Sequence, residues 1–347
     1  MSRIDVAFTH HSQGDLATAE QIYRAMIQDG EDVLSAANNL LVLLQGQGRS
    51  RDLIELYRRI APLVPANGDW AAARAYHLLG LENYEAGWQW YEARRHLSRS
   101  PAPTPKLSIP EWTGGPVRRL LIWREQGLGD EIQFARFVPE HARRGVQATL
   151  LCNPALARLF GRLPAEVVPL RADVRLGEFD AWCLLGSLPR LLGAPFAIPA
   201  PLPVSATPTA VRGVGVMTAG APGHVNDVHR SMPADAAARL LAMPGAVSLR
   251  PEDTGARDFQ DTADIIAGLD LVVTVDTSVA HLAGSLGKPT FVLLAARGQD
   301  WRWLHKRRDS PWYPSVRLFR QVTPGDWHGL LDEVIPAAAA HRAARAH

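Results

Sequence analysis

Residues recur every 34 positions along the first hundred of this 347-residue chain, and few architectures allow that. Gly14 and Gly48 are 34 apart, as are Ala19, Leu53 and Gly87, and again Tyr23, Tyr57 and Tyr91. The stretches GDLATAEQIYRAM, GRSRDLIELYRRI and ENYEAGWQWYEAR therefore superpose without a gap. A period of that length belongs to a supersecondary unit that cannot bury its apolar face alone and stacks on copies of itself. A turn residue closes one helix. Five positions later a small or apolar side chain meets the antiparallel partner, and four further on, one turn along the same face, an aromatic ring fills the groove. Pro65 stands where a second helix should stop.

The pattern resembles the tetratricopeptide repeat, with three units over residues 1–96. The third is degenerate, because Glu82 takes the place of the turn glycine while Gly87 keeps the small position. An ordinary helical bundle with chance spacing is the alternative. Stacked helix pairs of this kind form concave surfaces that hold polypeptide partners, so a protein partner on the repeat surface is expected.

Residues 97–117, LSRSPAPTPKLSIPEWTGGPV, carry five prolines and two adjacent glycines, which predicts an extended linker with Trp112 docked on a neighbour. Beyond it the texture changes. RRLLIW, VQATLLC, AEVVPL and FDAWCLL read as strands, with FARFVPEHARRG and PALARLFGRL as helices between them. A second proline-rich stretch near residue 200 separates these from VRGVGVM, AVSLRP, LVVTVD and PTFVLLA, interleaved with the helices ADAAARLLAMPG, FQDTADIIAGLD and TSVAHLAGSLG. Alternation of this kind predicts an α/β protein with parallel sheets. The expected divisions are 1–96 repeats, 97–117 linker, 118–205 a first Rossmann-like domain and 206–347 a second.

Thirty-seven Lys and Arg against thirty-five Asp and Glu leave a net charge of +2, too balanced for a duplex nucleic-acid coat. Two cysteines, Cys152 and Cys183, sit in apolar runs, which excludes a disulfide scaffold and suits a reducing compartment. The polar first residues lack a signal-peptide core, and the chain contains no run of about 18 apolar residues. A cytoplasmic protein without a transmembrane segment is the expectation.

Four places could carry chemistry. Gly127-Leu128-Gly129-Asp130 joins a strand to a helix; its glycines permit positive φ and close backbone approach, and Asp130 is either a general base in a cleft or a helix cap. Glu125 and Gln126, on the same loop, are substrate-binding or solvated. At the junction after LVVTV, Asp276, Thr277 and Ser278 precede a helix, and His281 follows one turn after Thr277; a helix start with two hydroxyls is a natural diphosphate seat. The alternative makes Asp276 a cap and His281 a packed histidine. Asn226 to Pro233 form a loop whose Arg230 suits fork-like bonding to phosphate or a surface pair with Asp227. Trp301 belongs to DWRW, aromatics that stack on a sugar or lid a core. The chain contains no Walker lysine pattern, HExxH or GxSxG, and GVGVMTAGAPG lacks the order of a dinucleotide fingerprint.

With these residues in view, the chain resembles bacterial tetratricopeptide-repeat proteins fused to a domain similar to the ADP-heptose–lipopolysaccharide heptosyltransferases of glycosyltransferase family 9. EQGLGDEIQFARF, RSMP and LDLVVTVDTSVAHLAGSLGKP carry the likeness, and DWRWL with DSPWYPS carries it to the repeat-fused subgroup. The resemblance implies a GT-B fold, two Rossmann-like domains around a cleft, with GLLDEVIPAAAAHRAARA as a C-terminal helix crossing back. It implies that Asp130 is the base, that Asp276 and His281 flank the donor site, and that Arg230 replaces a donor-phosphate lysine. Met217 stands where the subgroup often has tryptophan, and the loop from Leu249 to Phe259 is short. The expected function is inverting transfer of a sugar from a nucleotide-diphosphate sugar to a protein or glycan acceptor. Asp130 is catalytic; Gln126, Gly127, Gly129, Asn226, Arg230, Asp276, Thr277, Ser278, His281 and Trp301 bind substrate. No resident cofactor or metal is expected. Rival readings are a repeat scaffold whose transferase body is inactive and, less favoured, a nucleotide-sugar epimerase.

Overall fold

The structure, a computed structural model, describes residues 2–47, 49–62, 68–97, 104–170, 172–193, 198–223, 227–296, 298–304 and 307–344. Gly48, Pro65 and Asn226 lie outside the described residues. The chain divides into two compact units, residues 1–100 with 304–306, and residues 101–303 with 307–347.

The first unit is helical: α1 (Arg3–Ser12), α2 (Leu16–Asp29), α3 (Val33–Gly46), α4 (Ser50–Ile60), α5 (Gly68–Gly80) and α6 (Tyr84–Tyr91). The columns spaced by 34 fall at equivalent points of α2, α4 and α6. Ala19, Leu53, Tyr23, Tyr57 and Tyr91 are all buried. At Gly87 a methyl would stand 2.6 Å from Leu79 Cδ2, so the small residue is demanded by that neighbour. The turn column shares one backbone state: Gly14 has φ +84° and Glu82, its counterpart 68 positions on, φ +61°. Glu82 thus holds the left-handed conformation glycine adopts freely.

The second unit contains two sheets. Its elements in order are β1 (Arg119–Trp123), α7 (Leu128–Phe134), α8 (Val138–Arg143), β2 (Gln147–Cys152), β3 (Glu166–Pro169), β4 (Ala181–Leu184), α9 (Leu188–Leu191), β5 (Val214–Met217), α10 (Asp227–Arg230), α11 (Ala234–Leu241), β6 (Ala246–Ser248), α12 (Pro251–Thr254), α13 (Phe259–Gly268), β7 (Leu271–Val275), α14 (Ser278–Ser285), β8 (Thr290–Leu294), β9 (Val316–Arg320) and α15 (Trp327–Ala343). The strand orders are β3-β2-β1-β4 and β6-β5-β7-β8-β9, and every pairing is parallel. Central strands read as unbroken apolar runs because helices cover both faces; all five residues of β7 and of β8 are buried.

Four features differ from the sequence expectation or sharpen it. PALARLFGRL forms only two 3₁₀ turns, Pro154–Leu156 and Leu159–Arg162, because the Asn153 side chain accepts the Ala155 N–H and closes a local turn. The sequence reading does not predict β9; its run VRLFR sets Arg317 and Arg320 around buried Val316, Leu318 and Phe319. Trp112 is buried, with its N–H donating to the Trp182 carbonyl, so the proline-rich stretch extends the first sheet beside β4. The C-terminal helix α15 lays Trp327, Leu330, Leu331, Val334 and Ala338 into the core of the second sheet. Arg239 bonds Asp332 from α11, and Arg342 bonds the Pro244 carbonyl. The implied crossing to the other domain is therefore replaced by packing on the helix's own half.

Candidate active site

Parallel sheets place their ligand crevices where strand order reverses, outside the carboxyl ends. In the first sheet that point lies between β1 and β4, and in the second between β5 and β7. The loops leaving β1, β5 and β7 line one cleft of about 550 Å³. Gly127, Leu128, Gly129 and Asp130 form one wall; Met217, Ala219 to Ala221, Arg230 and Asp276 to Val279 form the other. The short segment after β6 contributes Leu249 to Glu252, and the loop after β8 contributes Gly298, Asp300 and Arg302.

On the first wall the left-handed backbone falls on Gln126, φ +61°, rather than on the glycines. Gly127 caps α7 in an extended conformation, φ −92°. Gly129 is needed for close approach: a Cβ there would stand 2.9 Å from His281 Cδ2 and 3.5 Å from the Ser278 Cα. α7 and α14 therefore meet almost backbone to side chain, joining the two walls at the cleft floor. Asp130 combines both readings open to it. Its Oδ2 accepts the Gly127 N–H at 2.9 Å, and the carboxylate also faces the cleft. Burial pushes its pKa upward against the pull of Arg302.

Glu125 is buried and accepts the Gly186 N–H at 2.7 Å, tying the loop to the turn after β4. The next glutamate along, Glu131, is wholly buried; it accepts from Arg124 Nε at 2.5 Å and from the Asn153 N–H at 2.8 Å. These two carboxylates hold the loop's shape.

On the second wall Arg230, the last residue of α10, is partnered by Asp227 at 3.2 Å and donates to the Asp276 carbonyl at 3.2 Å while facing the cleft. Gly220 permits this, since a Cβ there would lie 2.6 Å from Arg230 Nε. Thr277, not Asp276, is the cap of α14: its hydroxyl accepts the Val279 N–H at 3.3 Å and is hydrogen-bonded to Thr274 at 3.2 Å. Ser278 begins the helix on the lining. Burial, then the Asp300 charge, pushes the Asp276 carboxyl up to about 6. His281 is buried at the floor, its Nδ1 hydrogen-bonded to the Tyr313 hydroxyl at 3.0 Å and its ring stacked on Trp303. Burial holds it well below the usual histidine range, so it is a neutral ring that packs α14 against α7.

Two expected binding residues do not line the cleft. Trp301 is 7% exposed, packs edge-on against Trp312 and lies under the Arg302 guanidinium at 4.5 Å, so it lids a core. Gln126 contributes its carbonyl, which accepts from Arg124 at 2.9 Å; the lining begins one residue later. In their place the structure brings in Arg302 and Asp300. Arg302 Nη2 reaches Asp130 Oδ1 at 2.5 Å, Nη1 reaches Asp300 Oδ2 at 2.8 Å, and Nε reaches Gln133 Oε1. The sequence signal was present, since an arginine flanked by two buried tryptophans in DWRWL must find countercharges. Their identity was not, because Asp130 is 172 residues away.

Among the described residues no group of three or more His, Cys, Asp or Glu side chains is gathered to hold a metal, and no helix is long and apolar enough to cross a membrane.

Residues 253–305 match Glycosyltransferase family 9 (heptosyltransferase), a segment that includes Asp276, Thr277, Ser278, His281 and Arg302. Protein FlbA of Caulobacter vibrioides is 28% identical over 324 residues, covering 76% of this chain and 54% of the relative; the chain thus spans about half the length of that curated protein. Among solved structures, E. coli ADP-heptose lps heptosyltransferase II aligns at TM-score 0.44 and 14% identity, over 66% of this chain and all of the other. The iron-containing dodecameric glycosyltransferase TibC of enterotoxigenic E. coli aligns at TM-score 0.44 and 11% identity, over 67% of this chain and 78% of the other. The match thus covers the Asp276–Val279 part of the second wall and the loop that carries Asp300 and Arg302, while Met217, Gly220 and Arg230 lie before it.

Proposed function

We propose that this chain transfers a sugar, with inversion, from a nucleotide-diphosphate sugar to an acceptor hydroxyl in the cleft between its two parallel sheets. The observation that carries the reading is the pairing across one cavity: the Asp130 carboxylate on one wall, Arg230 and the start of α14 on the other. Asp130 accepts the acceptor's hydroxyl proton, the freed oxygen bonds to the anomeric carbon, and the bond from that carbon to the diphosphate breaks. The electron pair leaves with the diphosphate, whose charge Arg230 and the Ser278 end of α14 neutralise. A single displacement from the opposite face inverts the anomeric centre.

A GT-B arrangement, with the acceptor on the β1 side and the donor on the β7 side, suits the two reversal points described above. On this reading the helical unit is a set of tetratricopeptide-like repeats that presents the acceptor, a protein segment held on its concave side. The whole works as a cytoplasmic enzyme. The family match at residues 253–305 supports sugar transfer, and the ADP-heptose of the E. coli protein's name suggests the first donor to try. Turnover of a panel of nucleotide sugars that includes ADP-heptose is to be followed with the purified chain and with Asp130→Asn. Loss of about 10²-fold or more in the variant is expected of a general base. Equal turnover in the two proteins removes Asp130 from the mechanism, and no turnover of any donor by the wild type removes the transferase reading.

A further inference from the structure

We propose that Arg302 is the positioning residue of the site: from the loop after β8, its guanidinium clamps the Asp130 carboxylate and supplies the countercharge that lets Asp130 serve as base. The inference rests on the transfer reading for its consequence and on geometry for its substance. Hydrogen bonds to three described side chains fix the guanidinium. Two go to α7, at Asp130 and Gln133, and one to Asp300 on its own loop. The Trp301 and Phe134 rings lie 4.5 Å and 5.4 Å from its central carbon, and the residue is buried. A lysine offers a point charge and cannot bond three acceptors in this fork geometry.

The clamp acts on both carboxylate oxygens together. Oδ1 takes Arg302, and Oδ2 takes the Gly127 N–H. The carboxylate therefore cannot rotate, which is what a base needs to meet a hydroxyl at a set angle. Other charged groups around it oppose ionisation: Asp300 from the same loop as Arg302, and Glu125 from the strand-to-helix loop. The neighbouring residue of α7, Glu131, is engaged by Arg124. From α14 comes His281, which is neutral. Arg302 is thus the cation that answers Asp130, and it is contributed by the opposite half of the α/β unit. An enzyme built this way has its base in working order only while the loop after β8 rests against α7.

The test reads the Asp130 carboxyl directly, by carbon-13 NMR of the full chain labelled at aspartate side-chain carbons, with Asp130→Asn assigning the signal. In Arg302→Gln the Asp130 titration should move up by about one pH unit or more, since a close countercharge is worth that much. A midpoint unchanged within about 0.3 unit overturns the proposal, because a nearby cation is worth at least about three times that. Arg302→Lys keeps the charge and supplies a second test should the glutamine variant not fold. Its Asp130 titration should stay near the wild type while turnover of the panel donor that the wild type uses falls about tenfold or more at every pH, the cost of a loosened geometry. A lysine variant that turns over donor like the wild type removes the positioning role. The titration result is separable from the transfer reading, which falls only if the wild type turns over no donor.

Discussion

Replacing Gly129 by alanine tests the junction on which the whole cleft depends. The added methyl would lie 2.9 Å from His281 Cδ2, where carbon pairs prefer about 3.5 Å or more, an overlap of about 0.6 Å. His281 has nowhere to retreat, since it is buried, hydrogen-bonded to Tyr313 and stacked on Trp303 at a centroid distance of 5.3 Å. Overpacking of this kind costs about 1–3 kcal/mol. Alanine recovers up to about 1 kcal/mol of helix propensity within α7, so the net loss is about 1 kcal/mol, near 2–4 °C in the melting temperature of a unit this size. The same overlap pushes α7 off α14 and moves Asp130 relative to Ser278, so donor turnover should fall by more than the stability change explains. Gly161→Ala is the control: it lies in a 3₁₀ turn with negative φ and nothing within 4 Å of its added methyl. Scanning calorimetry of both variants, with turnover alongside, decides the matter. If Gly129→Ala melts with the control and turns over donor like the wild type, the close approach of α7 and α14 is wrong.

Two further outcomes follow from carboxylates at and behind the cleft. Glu131→Ala leaves the Arg124 guanidinium with the Gln126 carbonyl but no carboxylate and leaves the Asn153 N–H without its acceptor; it should cost about 1–3 kcal/mol, read as a lowered denaturation midpoint. Asp276 has a folded-state pKa of about 6 against an ordinary 3.8, so the protonated form is the one the fold favours. Its contribution to stability is complete below about pH 3.8 and disappears as the pH rises through about 6. Asp276→Asn should therefore flatten the fall in stability between those limits, measured as midpoint against pH; an unchanged slope contradicts the raised pKa.

The alternation of apolar runs with helix-period segments was sufficient to place most strands and the loops that carry Asp130, Arg230 and Asp276. Those features are local: a parallel strand covered on both faces is a short apolar run, and its ligand loop follows it directly. The columns spaced by 34 were likewise readable, down to the turn that Glu82 shares with Gly14. β9 escapes a sequence reading because Arg317 and Arg320 make VRLFR look solvated, and PALARLF has helical apolar spacing although Asn153 closes a turn first.

What the chain order alone decided, then, is which residues stand at helix starts and strand ends, since capping, turns and alternation act over a few neighbouring positions. What only the folded unit decided is who answers whom across the cleft. Gly129 is small for the sake of His281, 152 residues away. Arg302 serves Asp130 and Gln133, Trp301 turns into the core, and α15 stays on its own sheet. Charge pairing and close packing are set by distance in space, and a buried guanidinium is satisfied by whichever carboxylate the topology delivers to it.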